Sequence, residues 1–189
     1  MTTCSVCKKA LSTVTIPRIS GISLSSSSYT YNGKVRKPSV TVKDRTGKKI
    51  STANYTVSYA KGLKTVGSYG VTIKLKGNYS GTVKKTFTIV PKSTIISRLT
   101  AGKKKVTVKW NKQTTQTTGY QIQYSTSSKF KGAKTVAVSK NKTTSTTVSK
   151  LLAKKKYYVR IRTYKTVKVN GKSTKLYSSW SKAKTVKVK

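Results

Sequence analysis

Side chains able to move protons or attack a substrate are scarce in this chain. One carboxylate, Asp44, and no histidine occur among 189 residues. General acid–base catalysis draws on His, Glu or Asp with a tuned pKa. A Ser or Cys nucleophile needs a base, and that base needs a third group to orient it. Only Lys or Tyr remain for these roles, and no spacing groups them into a recognisable constellation. The composition therefore points to a non-enzymatic protein with no catalytic residue and no cofactor. Cys4 and Cys7 form a CxxC. Zinc takes four ligands, generally from paired Cys and His spacings, and the chain offers neither a third Cys nor a His. As a metal site the motif is incomplete. A redox CxxC belongs at the start of a helix in a βαβ setting, which is missing. A truncated motif, a local disulfide and free thiols all stay open.

The chemistry the chain can offer is charge. It carries 42 Lys and Arg against that one acid, a net charge of +41. Only six are Arg, at positions 18, 36, 45, 98, 160 and 162. Lysine is a hydrated point charge, whereas arginine's planar fork suits specific bidentate recognition. Diffuse attraction to a polyanion is expected, not the reading of a nucleotide sequence. Such a charge also makes the folded state repel itself.

Positioning these charges requires strands. SVTVKD (39–44), VTIKLK (71–76), KTFTIV (85–90), KVTVKW (105–110), YQIQYS (120–125), TVAVSK (135–140), YYVRIRTY (157–164) and KTVKVK (184–189) alternate apolar with polar residues. Period two is the mark of half-buried antiparallel strands, and it argues against the disorder that high charge can bring. Asn32-Gly33, Thr46-Gly47, Asn141-Lys142 and Asn170-Gly171 punctuate the runs, and Asn-Gly suits tight hairpin turns. Short strands so spaced predict an all-β chain of two tandem antiparallel β-sandwiches. Pro91 marks the boundary, since proline cannot donate to a ladder. The expected organisation is an N-terminal CxxC segment (1–18), a first sandwich (19–91) and a second (92–189).

Residues 92–189 resemble a fibronectin type III domain: Ile96 and Leu99 fit its first strand, Trp110 its second, and TGYQIQYS (118–125) its third. Leu151, Tyr157, Val159 and Ile161 match the family's L-x5-Y-x-V-x-V signature at the corner before its sixth strand, with Ala153 and Lys154 where proline is usual. SSWSKAKTVKV (178–188) fits the last strand. Residues 19–91 resemble a bacterial immunoglobulin-like repeat of surface proteins, through YTYNGKVRKPSVTVKDRTGKKI (29–50), NYTVSYAKG (54–62) and GNYSGTVKKTFTIV (77–90). The resemblances imply exported modules of a bacterial cell surface or cell wall, secreted and adhesive, and they imply no chemistry of their own.

In a type III sandwich the connections between the first and second strands, around the third, and before the sixth lie at one pole with the chain end. That places Lys103, Lys104, Lys105, Lys129, Lys131, Lys154, Lys155, Lys156, Lys187 and Lys189 together. The expected function is a structural spacer and adhesive module whose polycationic pole binds anionic polymers such as wall teichoic acid or acidic glycans. The alternative is a nucleic-acid-binding protein acting through nonspecific charge, although no reader motif is visible. The bland reading is a solvated, solubilising surface. Tyr158, Arg160 and Arg162 fall on the outer face of one strand, with Tyr157 inward; stacking of cationic stems on tyrosine accounts for them better than a base-stacking platform does. MTTCSVCKKALSTVTIP (1–17) lacks a signal peptide's apolar core, so the chain is expected to be part of a longer exported protein. No apolar run of about 20 residues suggests membrane insertion.

Unscreened repulsion among these cations predicts a melting temperature that rises with added salt. Thermal unfolding followed by circular dichroism at low and high salt checks this; an unchanged midpoint contradicts it.

Overall fold

The structure, a computed structural model, describes residues 16–189. Cys4 and Cys7 lie outside the described residues, as does most of the 1–18 segment. Strands β1 (Ile19–Leu24), β2 (Ser28–Thr30), β3 (Val40–Asp44), β4 (Tyr55–Tyr59), β5 (Gly67–Leu75) and β6 (Thr82–Val90) come first. They are followed by β7 (Ile96–Gly102), β8 (Lys105–Trp110), β9 (Gly119–Ser125), β10 (Lys134–Val138), β11 (Ser145–Ser149), β12 (Lys156–Val169), β13 (Lys172–Tyr177) and β14 (Lys184–Lys187). A single 3-10 turn, Thr52–Asn54, is the one helical piece among the described residues. Each of the eight alternating runs coincides with a strand, and the chain is an all-β sandwich protein.

The chain divides into two compact units. One comprises residues up to Ser26 with Pro38–Tyr59 and Gly70–Lys85; the other comprises Ser27–Lys37, Ala60–Tyr69 and Thr86–Lys189. Pro91 sits between β6 and β7 in sequence.

In the first unit β1 pairs antiparallel with β3, from Leu24↔Val40 to Ile19↔Asp44, with a bulge between Ile19 and Gly21. β4 pairs antiparallel with the Val71–Leu75 stretch of β5. Val42, Val71 and Ile73 are fully buried and Tyr55 nearly so, as expected where period-two strands turn β-branched residues to one side. Asp44 ends β3 and builds its turn. Its carboxylate accepts from the Thr46 hydroxyl (2.7 Å), the Thr46 N–H (2.9 Å) and the Lys48 N–H (3.0 Å). Its carbonyl accepts from the N–H of Gly47 (3.0 Å), which lies at φ 85°, a conformation glycine adopts without steric cost. The chain's one acid is thus a turn clamp, buried to 3% exposure.

In the second unit β2 runs parallel to β6, with Ser28↔Thr88 and Thr30↔Val90. This departs from the antiparallel expectation. Alternation decides which face a side chain takes, but it is blind to the direction of the neighbouring strand. Tyr29 on β2 meets Phe87 edge-on at 5.9 Å, and Phe87 also packs on Tyr69 at 5.6 Å.

The rest of this unit is a sandwich of two sheets. One is ordered β11-β8-β7; the other β10-β9-β12-β13, with β14 also paired to β12. Val106, Val108, Trp110 and Val148 from the first sheet and Tyr120, Ile122, Tyr157, Val159 and Ile161 from the second form one core. Trp110 and Tyr120 lie 5.2 Å apart, ring to ring. The Tyr120 hydroxyl accepts from the Gln113 N–H (2.8 Å) and donates to the Asn141 carbonyl (2.7 Å), so a fully buried phenol leaves no polar atom unmatched. β12 and β13 join through Asn170-Gly171, both at positive φ, with Val169 opposite Lys172. That is the two-residue hairpin its Asn-Gly predicts.

Hydrogen bonding within the turn, led by the Thr46 hydroxyl, holds the Asp44 carboxyl below its ordinary value against the opposing effect of burial. A depressed native pKa contributes stability above the unfolded value of about 3.9, lost as pH falls through the native value. Thermal midpoints should therefore stay flat from pH 7 to about pH 5 and fall only below about pH 4. Asp44→Asn removes that acid limb and Asp44→Ala lowers the midpoint at pH 7; a pH titration of melting temperature reads both.

Candidate anion-binding pole

Backbone hydrogen bonds gather the predicted lysines at one end of the sandwich. Lys105 pairs with Gly102 on β7 and with Ser149 on β11. The Lys104 N–H donates to the Lys189 carbonyl (3.0 Å), and the Lys104 carbonyl accepts from Leu151 (3.0 Å). Lys154 N–H donates to Val188 (3.0 Å), Val188 N–H to Lys155 (3.0 Å), and Lys156 lies opposite Lys187. The two triplets, Lys103–Lys105 and 154–156, therefore share the pole with Lys187 and Lys189, and every one of these side chains is exposed. Within the β9–β10 connection the Lys131 carbonyl accepts from Ser125 Oγ (2.9 Å) at the end of β9. Lys129, also exposed, belongs to the same connection, and among the described residues neither lysine is hydrogen-bonded to the triplets.

The corner before β12 is locked by its signature residues. Leu151 is buried in the core, and the Tyr157 hydroxyl accepts from the Leu152 N–H (3.1 Å). This is the tyrosine corner of such sandwiches, closed here without proline. Lys104, Lys150 and Lys154 take φ of 50°, 60° and 58°, and Phe130 in the β9–β10 connection takes 57°. The left-handed region is uncommon for residues other than Gly, Asn and Asp.

Beside the pole lies a cleft of about 460 Å3, lined by Tyr124, Lys131, Lys134, Lys150, Leu152 and Tyr157, among others. Lys134 and Lys150 carry no mark of the pole in the sequence, because each sits at the edge of a strand and not inside a connection assigned to it. Lys150 could have been found from its place one residue ahead of Leu151, where the chain must turn to the corner.

On the outer face of β12 the arginines are covered by rings. The Arg160 guanidinium lies 3.9 Å from the centroid of Phe130 and 4.7 Å from that of Trp180; Arg162 lies 4.2 Å from Trp180 and 3.7 Å from Tyr177. Gln123 and Gln121 on β9 accept from their Nε atoms at 2.7 and 2.8 Å. Tyr158, expected to share this strip, is covered instead by Lys156 Nζ at 5.4 Å. Two serines place Trp180 over the arginines. Between β13 and β14, Ser178 and Ser181 each donate a backbone N–H to β12, to Thr163 (3.1 Å) and Ile161 (2.8 Å). Each also accepts on Oγ from the same residue's N–H, at 3.1 Å. Trp180 lies between these two anchors, half-buried. Burial lowers the pKa of both arginines, which leaves them charged at neutral pH. Among the described residues no three metal-ligating side chains cluster, and no helix is long and apolar enough to cross a membrane.

Residues 91–179 match the family model of the fibronectin type III domain. No curated protein matches the chain. Among solved structures, a two fibronectin type III domain segment of chicken tenascin is similar at 17% identity over 90% of this chain and 99% of that one, with a TM-score of 0.47. The FN1-FN3 domains of chicken CNTN1 are similar at 15% identity over 92% of this chain and 67% of that one, with a TM-score of 0.46. A beta-1,2-glucanase from Parabacteroides distasonis is similar at 14% identity over 64% of this chain and 18% of that one, with a TM-score of 0.38.

Each partly exposed cation–π contact contributes about 0.5–2 kcal/mol. Trp180→Ala, which removes two, should lower the unfolding free energy by about 1–4 kcal/mol in urea titration. A loss no larger than that of Lys182→Ala would show that the ladder does not hold the sheet.

Proposed function

We propose that this chain, with a fibronectin type III domain in its second half, is a non-catalytic spacer and adhesive module of a secreted or cell-surface bacterial protein. The region ahead of that domain, residues 19–91, serves as an immunoglobulin-like repeat. The lysine pole docks anionic polymers of the cell wall, wall teichoic acid or acidic glycans.

The observation that carries this reading is the backbone at the pole. Lys104, Lys150 and Lys154 hold left-handed conformations, each costing roughly 1 kcal/mol or more where glycine would cost nothing. A lysine that serves only solubility can sit anywhere on a strand's outer face, and this chain has many such positions. Lysine at three strained turns of one pole is better explained by a need for charge there. Polyanion docking needs no acid, base or metal: neutralising phosphates or sulfates releases counterions, and this drives binding. Nonspecific attraction to nucleic acid follows from the same charge, so selectivity among polymers decides between the readings.

Glycine replacement separates charge from structure, because the backbone bonds of residues 104 and 154 survive it. Lys104→Gly/Lys154→Gly should keep or raise the melting temperature. It should weaken teichoic acid binding and reduce the slope of log affinity against log salt by about 2. Competition among teichoic acid, a heparin-like glycan and DNA at physiological salt completes the test. Equal displacement by all three, or an affinity the double variant leaves unchanged, overturns the proposal.

A further inference from the structure

The cleft beside the pole is concave, and three lysines from two stretches of the chain line it. Lys131 comes from the β9–β10 connection, Lys134 from the first residue of β10, and Lys150 from the turn after β11. We propose that this cleft is a subsite for one phosphate of a polyol-phosphate chain, the repeating unit of a phosphodiester wall polymer. The inference rests on the polyanion reading of the pole and assigns that reading a specific chemistry.

Four features point to a phosphate on a polyol. First, every charge in the cleft is an ammonium. Lysine binds phosphate as a point charge and has no planar fork to select a carboxylate; the arginines nearest in sequence, Arg160 and Arg162, are occupied by aromatic rings. Second, no acid opposes an anion there, because the chain's one carboxylate, Asp44, is engaged in its own turn. Third, two phenols can donate. Tyr157 Oη accepts from Leu152 N–H, a bond that leaves its own proton unspent, and the half-buried Tyr124 lines the same wall. Fourth, Leu152 is 62% exposed at the rim, an apolar surface for the carbons of a polyol.

A nucleotide fits less well. Base recognition in single strands relies on free aromatic faces, and the rings in this region are already engaged. Tyr124 packs on Tyr157 at 6.4 Å, Tyr158 is under Lys156, and Phe130 and Trp180 are under arginines. A cleft of about 460 Å3 is within the usual range for small-ligand sites.

The test uses the whole chain and a synthetic glycerol-phosphate trimer, titrated calorimetrically at about 0.15 M salt. Lys131→Ala/Lys134→Ala/Lys150→Gly is compared with a control of equal charge loss on exposed sites, Lys112→Ala/Lys168→Ala/Lys172→Ala. Loss of charge-assisted contacts should weaken trimer binding by about tenfold or more in the cleft variant and by less than about twofold in the control. Tyr124→Phe, which breaks no hydrogen bond of the fold, should weaken it by roughly threefold at an unchanged melting temperature. Equal weakening by cleft and control variants overturns the subsite while leaving the pole's diffuse attraction standing, as does a wild-type protein that binds long teichoic acid but not the trimer. A trinucleotide as sensitive to the cleft variant as the trimer overturns the polyol assignment. A wild-type chain that retains no polyanion at this salt overturns the reading on which both proposals stand.

Discussion

Forty-two cations share one carboxylate in this chain, and that carboxylate is committed to a turn. The fold must therefore hold without the ion pairs that usually balance a basic surface. Strand alternation supplies the main solution: every second residue turns inward, so Val, Ile and Tyr leave water while Lys and Thr stay in it. The second solution is the aromatic face. Arg36 lies over Tyr29, Lys175 over Tyr164, and Arg160 and Arg162 are interleaved with Phe130, Trp180 and Tyr177. The negative face of a ring attracts a cation without adding an acid, so these contacts hold the outer layer while leaving the net charge intact.

The same constraint shapes the pole. Turns elsewhere in the chain are built mostly by residues suited to positive φ, such as Gly47, Asn170 and Gly171, with Gln116 an exception at φ 53°. At the pole, lysines take that conformation, and backbone bonds among the β7–β8 turn, the β11–β12 connection and the C-terminal strand stitch the turns together. Rigidity and charge are thereby concentrated in one place. Because the bonds are made by N–H and C=O groups, the ammonium ends remain in solvent and available to a partner. The cleft of Lys131, Lys134 and Lys150 extends this arrangement from a surface to a concavity.

Much of this was legible in the residues. Period-two runs marked the eight strands they covered, and the Leu151…Tyr157 spacing marked a corner that the Tyr157 hydroxyl does close. The grouping of both lysine triplets with Lys187 followed once the order of strands was assumed. The parallel pairing of β2 with β6 was not legible, because three residues carry too little periodicity to declare a partner or a direction. Phe130 stands alone among polar residues in its loop, with nothing in the local sequence to mark it. It becomes part of the arginine ladder only because β9 and β12 are neighbours, which brings Arg160 beneath it.

By itself the sequence determined the chemistry available and the faces on which it lies. Near-absence of acids and histidine leaves only Lys and Tyr for proton transfer, and alternation sorts core from surface; both are local properties, written residue by residue. Only the tertiary structure decided which cations become neighbours. Lys150 meets Lys131 and Lys134, themselves neighbours in sequence, because two sheets close over a shared core. Trp180 reaches Arg160 and Arg162 because the two serines that flank it are bonded to β12. Convergence of that kind depends on strand order and register, which are set by long-range packing and leave no periodic trace in the chain.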